Sequence, residues 1–185
     1  MSVIVIAFTT LDGFVSDPDG SAGSARGGWM FRFGRTAIDG DKFQLSRILQ
    51  EGALLFGRGT WQQFAKLWPA REGEFAERMN GAAKLVASRS ALDVSQWANS
   101  SVLDGDLAEA VKSEQRDVVV MGSTSIARQL AAVDLVDEYR LVTVPTVIGA
   151  GERLFQPDGG LVEFDFVSSE LTGPLVFTRY RRSNR

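Results

Sequence analysis

The chain has 185 residues, 44% apolar and 23% charged, with a formal net charge of −3; that balance suits a globular chain that buries one core, so a single domain over 1–185 is expected. Histidine and cysteine are both absent, which excludes Ser-His-Asp triads, cysteine nucleophiles, disulfides and His- or Cys-ligated zinc, a zinc-dependent deaminase included. The charge is not basic enough for a general nucleic-acid footprint, no apolar run approaches the ~20 residues of a membrane helix, and a cytoplasmic location with no metal site is expected.

Val3 to Phe8 is a continuous, β-branched apolar run, the pattern of a strand buried on both faces. Leu11-Asp12-Gly13 offers a turn, and Asp12 reads either as a turn residue or as a substrate contact. Asp17 to Gly34 is rich in Gly, Ser and Pro and is expected to be a long loop. Trp29, Met30, Phe31 and Phe33 lie in it, so the loop is a lid that brings Trp29 to a substrate, a subunit contact, or a segment folded back on the core.

Asp39 to Gln50 is expected to be a helix, because Phe43, Leu45, Ile48 and Leu49 fall mostly on one face. Ala53 to Phe56 is a short buried strand, followed by the junction Gly57-Arg58-Gly59 and a helix from Thr60 to about Lys66. Residues 73–80 are another short helix. Lys84 to Ala87 is a third strand ending at Ser88-Arg89. Asp106 to Lys112 is a helix with Asp104 or Asp106 as its N-cap. Asp117 to Met121 is a strand, and Gly122-Ser123-Thr124-Ser125 opens a helix over Ile126–Ala132. Glu138 to Val144 is a strand, and Leu161 to Arg182 reads as an antiparallel pair turning at Gly173-Pro174. Arg179, Arg181, Arg182 and Arg185 read as charges guarding an edge strand. The alternation specifies an α/β domain, with a mostly parallel mixed sheet and an antiparallel C-terminal edge.

Three junctions share one layout: a buried strand ends, and small or Arg residues follow. They are Gly57-Arg58-Gly59-Thr60, Ser88-Arg89 and Gly122-Ser123-Thr124-Ser125. In open α/β sheets ligands bind beyond the carboxyl ends of the strands, and helix N-termini attract phosphate. Two such helix starts and two arginines suit a dinucleotide with an extra phosphate. The other reading of each junction is ordinary turn and cap chemistry. Competing motifs fail: Gly149-Ala150-Gly151 lacks the third glycine of a dinucleotide fingerprint, and Arg58-Gly59 stands where a phosphate-binding loop needs Lys-Ser/Thr.

In order and spacing these elements resemble the dihydrofolate reductase superfamily, in particular its riboflavin-biosynthesis branch, typified by the RibD C-terminal domain. Phe56-Gly57-Arg58-Gly59-Thr60-Trp61 is similar to its Gly-Arg-x-Thr element, Leu85 to Arg89 to its following strand, and Met121 to Ile126 to its Gly-rich helix start. Thr9 to Gly13 is similar to the branch's Ser-Leu-Asp-Gly start, and Gly149-Ala150-Gly151-Glu152-Arg153-Leu154-Phe155 to its later loop. The resemblance implies a three-layer fold with helices on both sheet faces and an NADPH-dependent reductase acting on a small pyrimidine or pterin-type substrate, such as a 5-amino-6-(5-phosphoribosylamino)uracil. True dihydrofolate reduction and a non-catalytic nucleotide-binding dimer are the alternatives. It implies that Ala7 meets the nicotinamide carboxamide through its backbone. Gly57, Arg58, Gly59, Thr60, Ser88 and Arg89 would hold the adenosine phosphates, and Gly122, Ser123, Thr124, Ser125 and Ile126 the pyrophosphate. Asp41, sixteen residues before Gly57, matches the superfamily's helix-borne acid and Thr143 the threonine that supports it; an acid in a first helical turn also serves the helix dipole alone. A homodimer is implied as well.

Overall fold

The computed structural model describes residues 1–155 and 160–183. They form eight strands and five α-helices: β1 (Val3–Thr10), α1 (Ser46–Glu51), β2 (Ala53–Gly57), α2 (Arg58–Leu67), α3 (Glu74–Gly81), β3 (Ala83–Ala87), β4 (Ser100–Val102), α4 (Leu107–Ser113), β5 (Val118–Met121), α5 (Thr124–Ala132), β6 (Glu138–Val144), β7 (Phe164–Thr172) and β8 (Leu175–Arg182). The sheet order is β4-β3-β2-β5-β1-β6-β8-β7, the expected mixed α/β sheet. The chain falls into two compact units, Met1–Val5 with Gln44–Val136, and Ile6–Phe43 with Asp137–Arg185.

In the first unit β4, β3, β2 and β5 are parallel neighbours, with Leu55 opposite both Leu85 and Val120. Leu54, Leu55, Phe56, Val118, Val119 and Val120 are all buried, as strands sandwiched on both faces require. Phe56 packs against Phe64 and Trp97, with centroids 5.5 and 5.6 Å away. Trp61 on α2 is buried and donates its indole N–H to Ser100 Oγ at 3.0 Å. Lys84 stands inside this core. Its ammonium donates to the carbonyls of Asn80, Ala82 and Ala98 at 2.8, 2.8 and 2.9 Å, and lies over the Trp97 ring. Burial pulls the Lys84 pKa down to about 8.

The expected helix over Asp39–Gln50 is largely replaced. Only Ser46–Glu51 is helical, because Gln44 adopts a left-handed φ of 53°, which a right-handed helix cannot continue through. Residues 39–43 form a turn, with Gly40 at φ 81° and the Lys42 N–H on the Gly40 carbonyl at 3.0 Å. The apolar spacing is real, since Phe43, Leu45 and Leu49 are buried, but it serves a turn followed by a short helix. At α4 the expectation holds: Asp106 caps the helix, accepting from the Ala108 and Glu109 N–H groups.

In the second unit β6, β8 and β7 form an antiparallel meander. Gly173-Pro174 is its turn, with Gly173 at φ 57°. Glu138 and Arg140 point to the same buried face of β6. Glu138 accepts from Arg140 Nε at 2.6 Å, from Arg179 Nη2 at 2.9 Å and from Arg181 Nη2 at 3.2 Å. Arg140 also donates to the Phe43 carbonyl at 2.9 Å, and the Phe43 ring packs edge-on against Phe8. This corrects the reading of the C-terminal arginines: β8 lies between β6 and β7, so Arg179 and Arg181 neutralise a buried carboxylate and do not guard an edge. Arg185 lies outside the described residues.

The Asp17–Gly34 loop is folded back. Trp29 is fully buried and its indole N–H donates to the Ser16 carbonyl at 3.0 Å. Asp17 closes the loop on itself by accepting from the Ala22 and Ser24 N–H groups.

Candidate functional site

The carboxyl ends of β3, β2 and β5 lie side by side in the first unit, and the three junctions meet there. Gly57 is in register with Ala87, so Ser88 follows directly beside the Gly57-Arg58 junction. The Gly57 N–H donates to Ser123 Oγ at 2.7 Å, which ties the start of α2 to the start of α5. Gly122 adopts φ 70°, and a Cβ built on it would stand 3.2 Å from Thr60 Cγ2. Only glycine meets both demands there easily. Arg58 Nη1 donates to Ser90 Oγ, and the Ser88 hydroxyl donates to the Ser90 carbonyl at 2.8 Å. Ser90 thus joins Arg58 to Ser88, and Gly122 lies close against Thr60, at one end of the sheet.

No side chain caps α2 or α5, and neither has an acid in its first turn, whereas α3 carries Glu74 and Glu77 there and α4 has its Asp106 cap and Glu109. The outward N–H groups and positive ends of α2 and α5 are therefore unneutralised. Among the described residues Arg58 has one protein partner, Ser90, so most of its five donors remain available. Arg89, between Ser88 and Ser90 in sequence, is exposed. Ser125 is exposed and Thr124 half-buried, while Ser123 and Ile126 are buried; the Ser123 oxygen is engaged by Gly57, so its side chain is a brace for the cradle. The donor set is cationic and amide-rich, with glycine where the backbone must stay open, and this chemistry fits a phosphorylated adenine dinucleotide.

The remaining candidates lie in the second unit. Ala7, in β1, is half-buried, between the buried Ile6 and the half-buried Phe8. Asp12 accepts from Thr10 Oγ1 at 2.5 Å and from the Gly149 and Ile148 N–H groups at 2.7 and 3.2 Å. The Thr10 hydroxyl, followed by these amides, holds the Asp12 carboxyl below the usual carboxylate range. Of the two readings of Asp12, the structure displays the turn. Trp29, expected within reach of a substrate, is instead the buried anchor of its loop, since the Ser16 carbonyl draws the indole inward. Asp41 sits in the 39–43 turn, ahead of α1, and not on a helix. Thr143 Oγ1 makes no hydrogen bond to Asp41 among the described residues. The cause is strand parity: Arg140, which holds Phe43, and Thr143 point to opposite faces of β6.

Two features escaped the sequence reading. The Leu-Asp-Gly start and the Gly-x-Gly-x-x-Leu-Phe loop are one assembly. Leu11 and Val15 N–H groups bond the Thr146 and Glu152 carbonyls at 2.9 and 2.8 Å, Arg153 Nη1 donates to the Asp12 carbonyl at 2.9 Å, and Gly151, at φ 142°, leaves no room for a Cβ beside Ser16 Oγ. The Glu138 cluster was signalled by acids and arginines at period-two spacing in two strands, but needed their register to be seen. Among the described residues no cluster of acidic side chains could hold a metal ion, and no helix is long and apolar enough to cross a membrane.

Comparison with known proteins agrees with this architecture. The uncharacterized protein YyaP of Bacillus subtilis (strain 168) is 25% identical over 161 residues, covering 83% of this chain and 79% of YyaP. A putative riboflavin biosynthesis protein from Shewanella sp. PV-4 superposes with a TM-score of 0.75 at 20% identity, over all of both chains. Dihydrofolate reductase from Enterococcus faecalis, complexed with NADP(H) and RAB-propyl, superposes with a TM-score of 0.63 at 11% identity over 99% of this chain and 97% of its own. The RibD C-terminal domain model matches residues 1–177, and the chain therefore belongs to the RibD C-terminal domain family, with a dihydrofolate-reductase-like fold.

Proposed function

We propose that the protein is an NADPH-dependent reductase of a small pyrimidine- or pterin-type heterocycle. The observation that carries this reading is the convergence of Arg58, Thr60, Ser88 and Gly122 at the carboxyl ends of β2, β3 and β5, beside two uncapped helix starts. Arg58 and Arg89 hold the adenosine ribose phosphate, and Thr60 with the amides at the start of α2 adds donors to it. Gly122 to Ile126 receive the pyrophosphate on the start of α5. Ala7 offers its backbone to the nicotinamide carboxamide. NADPH, when bound, supplies the hydride. The chain then has to supply position and a proton, and with no histidine the proton falls to Asp, Glu, Lys, Tyr or bound water. Asp12 is held ionised by its three donors and is a poor proton source. Asp41, at the position that matches the superfamily's acid, is the proposed donor, holding a proton at a ring nitrogen of the substrate. The pyrimidine-type substrate is favoured over dihydrofolate by the Asp12–Gly149 assembly, which belongs to the riboflavin-type pattern.

A homodimer is part of the same proposal, on a surface other than the Trp29–Phe33 loop. Strand alternation puts Leu141, Thr143, Val176, Thr178, Tyr180, Phe166 and Leu171 on one face of β6, β8 and β7. Phe166 is 63% and Leu171 80% exposed. Sheet faces of this apolar character are normally covered, and one with so little charge suits a second identical copy.

The test is turnover. NADPH oxidation is followed at its nicotinamide absorbance with aminouracil ribose phosphates and with dihydrofolate as acceptors. The reading predicts oxidation with an aminouracil, reduced at least ~10-fold in Asp41→Asn; oxidation with dihydrofolate alone, or with neither, contradicts it.

A further inference from the structure

We infer that Ser90 is a positioning residue that sets the preference for a phosphorylated over an unphosphorylated adenosine ribose, by holding Arg58. The inference rests on the reductase reading above and extends it to a residue outside the Gly-Arg-x-Thr and Ser-Arg elements.

An arginine on the surface carries rotamer freedom that must be given up to grip a phosphate. Arg58 is the first residue of α2 and is exposed, so nothing in the core fixes its guanidinium. Its partner is Ser90 Oγ, which accepts from Nη1. Ser90 is in turn fixed from the other side of the loop. Its carbonyl accepts the Ser88 hydroxyl at 2.8 Å, and its N–H reaches back to Ser88 Oγ at 3.5 Å. The 88–90 segment is therefore a small closed ring at the carboxyl end of β3, and β3 is bound in register to β2, from which Arg58 emerges.

This chain of contacts has two consequences. One N–H of the fork is committed to a neutral oxygen, a weak partner that costs little to share, while the other donors stay free for an anion. The plane of the guanidinium is set before a ligand arrives, so less freedom is lost on binding. None of this matters to a ribose bearing a free hydroxyl in place of a phosphate. Loss of Ser90 therefore weakens NADPH and leaves NADH nearly unchanged.

The experiment titrates the wild-type protein, Ser90→Ala, Ser90→Thr, Arg58→Ala and the double variant with NADPH and with NADH, following nicotinamide fluorescence. Ser90 is exposed, and thermal melts check that each variant folds. The expected result is a fall of about 5- to 10-fold in NADPH affinity for Ser90→Ala, a change under 2-fold for NADH, partial recovery in Ser90→Thr, and no further loss when Ser90→Ala is added to Arg58→Ala, because the serine acts through the arginine. An unchanged NADPH-to-NADH ratio in Ser90→Ala, an equal loss of both cofactors, or full additivity with Arg58→Ala overturns the inference. If the wild-type protein binds NADH as well as NADPH, the reductase reading loses its ribose-phosphate contact and the role of Ser90 falls with it, whereas a wild-type preference that survives Ser90→Ala removes Ser90 alone.

Discussion

Glu138 shows how a single side chain can be both a liability and a fixed point. Its carboxyl group is buried, and burial alone would raise its pKa. The hydrogen-bonded guanidiniums of Arg140 and Arg179 outweigh burial and hold it below the usual carboxylate range. A buried pair of this kind is not required for stability, since a well-packed apolar replacement often does as well. Removing one partner is a different matter, because it strands the others. Glu138→Gln takes the Glu138 carboxylate away from Arg140 and Arg179 and is expected to cost about 3 kcal/mol at neutral pH. The pH dependence has a definite sign. A carboxyl whose folded pKa lies below the unfolded value contributes stability that is present above the unfolded pKa, near 4.5, and lost as pH falls through the folded one. Urea unfolding of wild type and Glu138→Gln is therefore expected to show a gap that is widest at pH 7 and narrows as the pH falls below about 4.5. A gap of the same size at pH 3.5 would mean that the charge on Glu138 is not what the cluster stabilises.

At the scale of elements, the parts that the sequence made legible are those governed by local pattern. The apolar runs at Val3–Phe8, Ala53–Phe56 and Asp117–Met121 are strands because nothing but burial on two faces accommodates them, and the Asp106 cap and Gly173-Pro174 turn are written in single residues. The helix at 39–50 was misread because its apolar spacing is genuine. What stops the helix is the left-handed Gln44, a backbone conformation that its side chain does not announce. The three-residue strand β4 has no apolar run to signal it. The phosphate cradle was legible as three junctions, but their convergence depends on the register of β2 with β3 and β5. The Asp41–Thr143 pairing failed for a reason invisible without β6, namely that Thr143 and Arg140 face opposite ways. The same parity exposes the apolar face of β6, β8 and β7, and it makes the homodimer testable. Sedimentation equilibrium is expected to give about twice the 20.2 kDa chain mass for the wild type and the single-chain mass for the Phe166→Ser, Leu171→Ser pair. A wild-type mass of one chain, or a pair that still dimerises, would exclude this face.

On the scale of the whole molecule, chemistry is divided along the chain. The first unit holds the junctions that fit a phosphorylated adenine carrier. The second holds Ala7, Asp12 and Asp41, together with the two loops that Asp12 clips to each other. Binding residues concentrate on loops and strand ends held by a packed scaffold, and every residue proposed to touch a phosphate here stands just after a buried strand. The central claim is that this end of β2, β3 and β5 is a binding site for NADPH and not a set of ordinary turns. The most direct measurement is calorimetric titration of the pure protein with NADPH, alongside Arg58→Ala. The account predicts one site per chain in the wild type and a loss of at least ~10-fold in affinity for Arg58→Ala, the magnitude of one charge-assisted contact. No heat of binding in the wild type, or equal affinity in the variant, would contradict it.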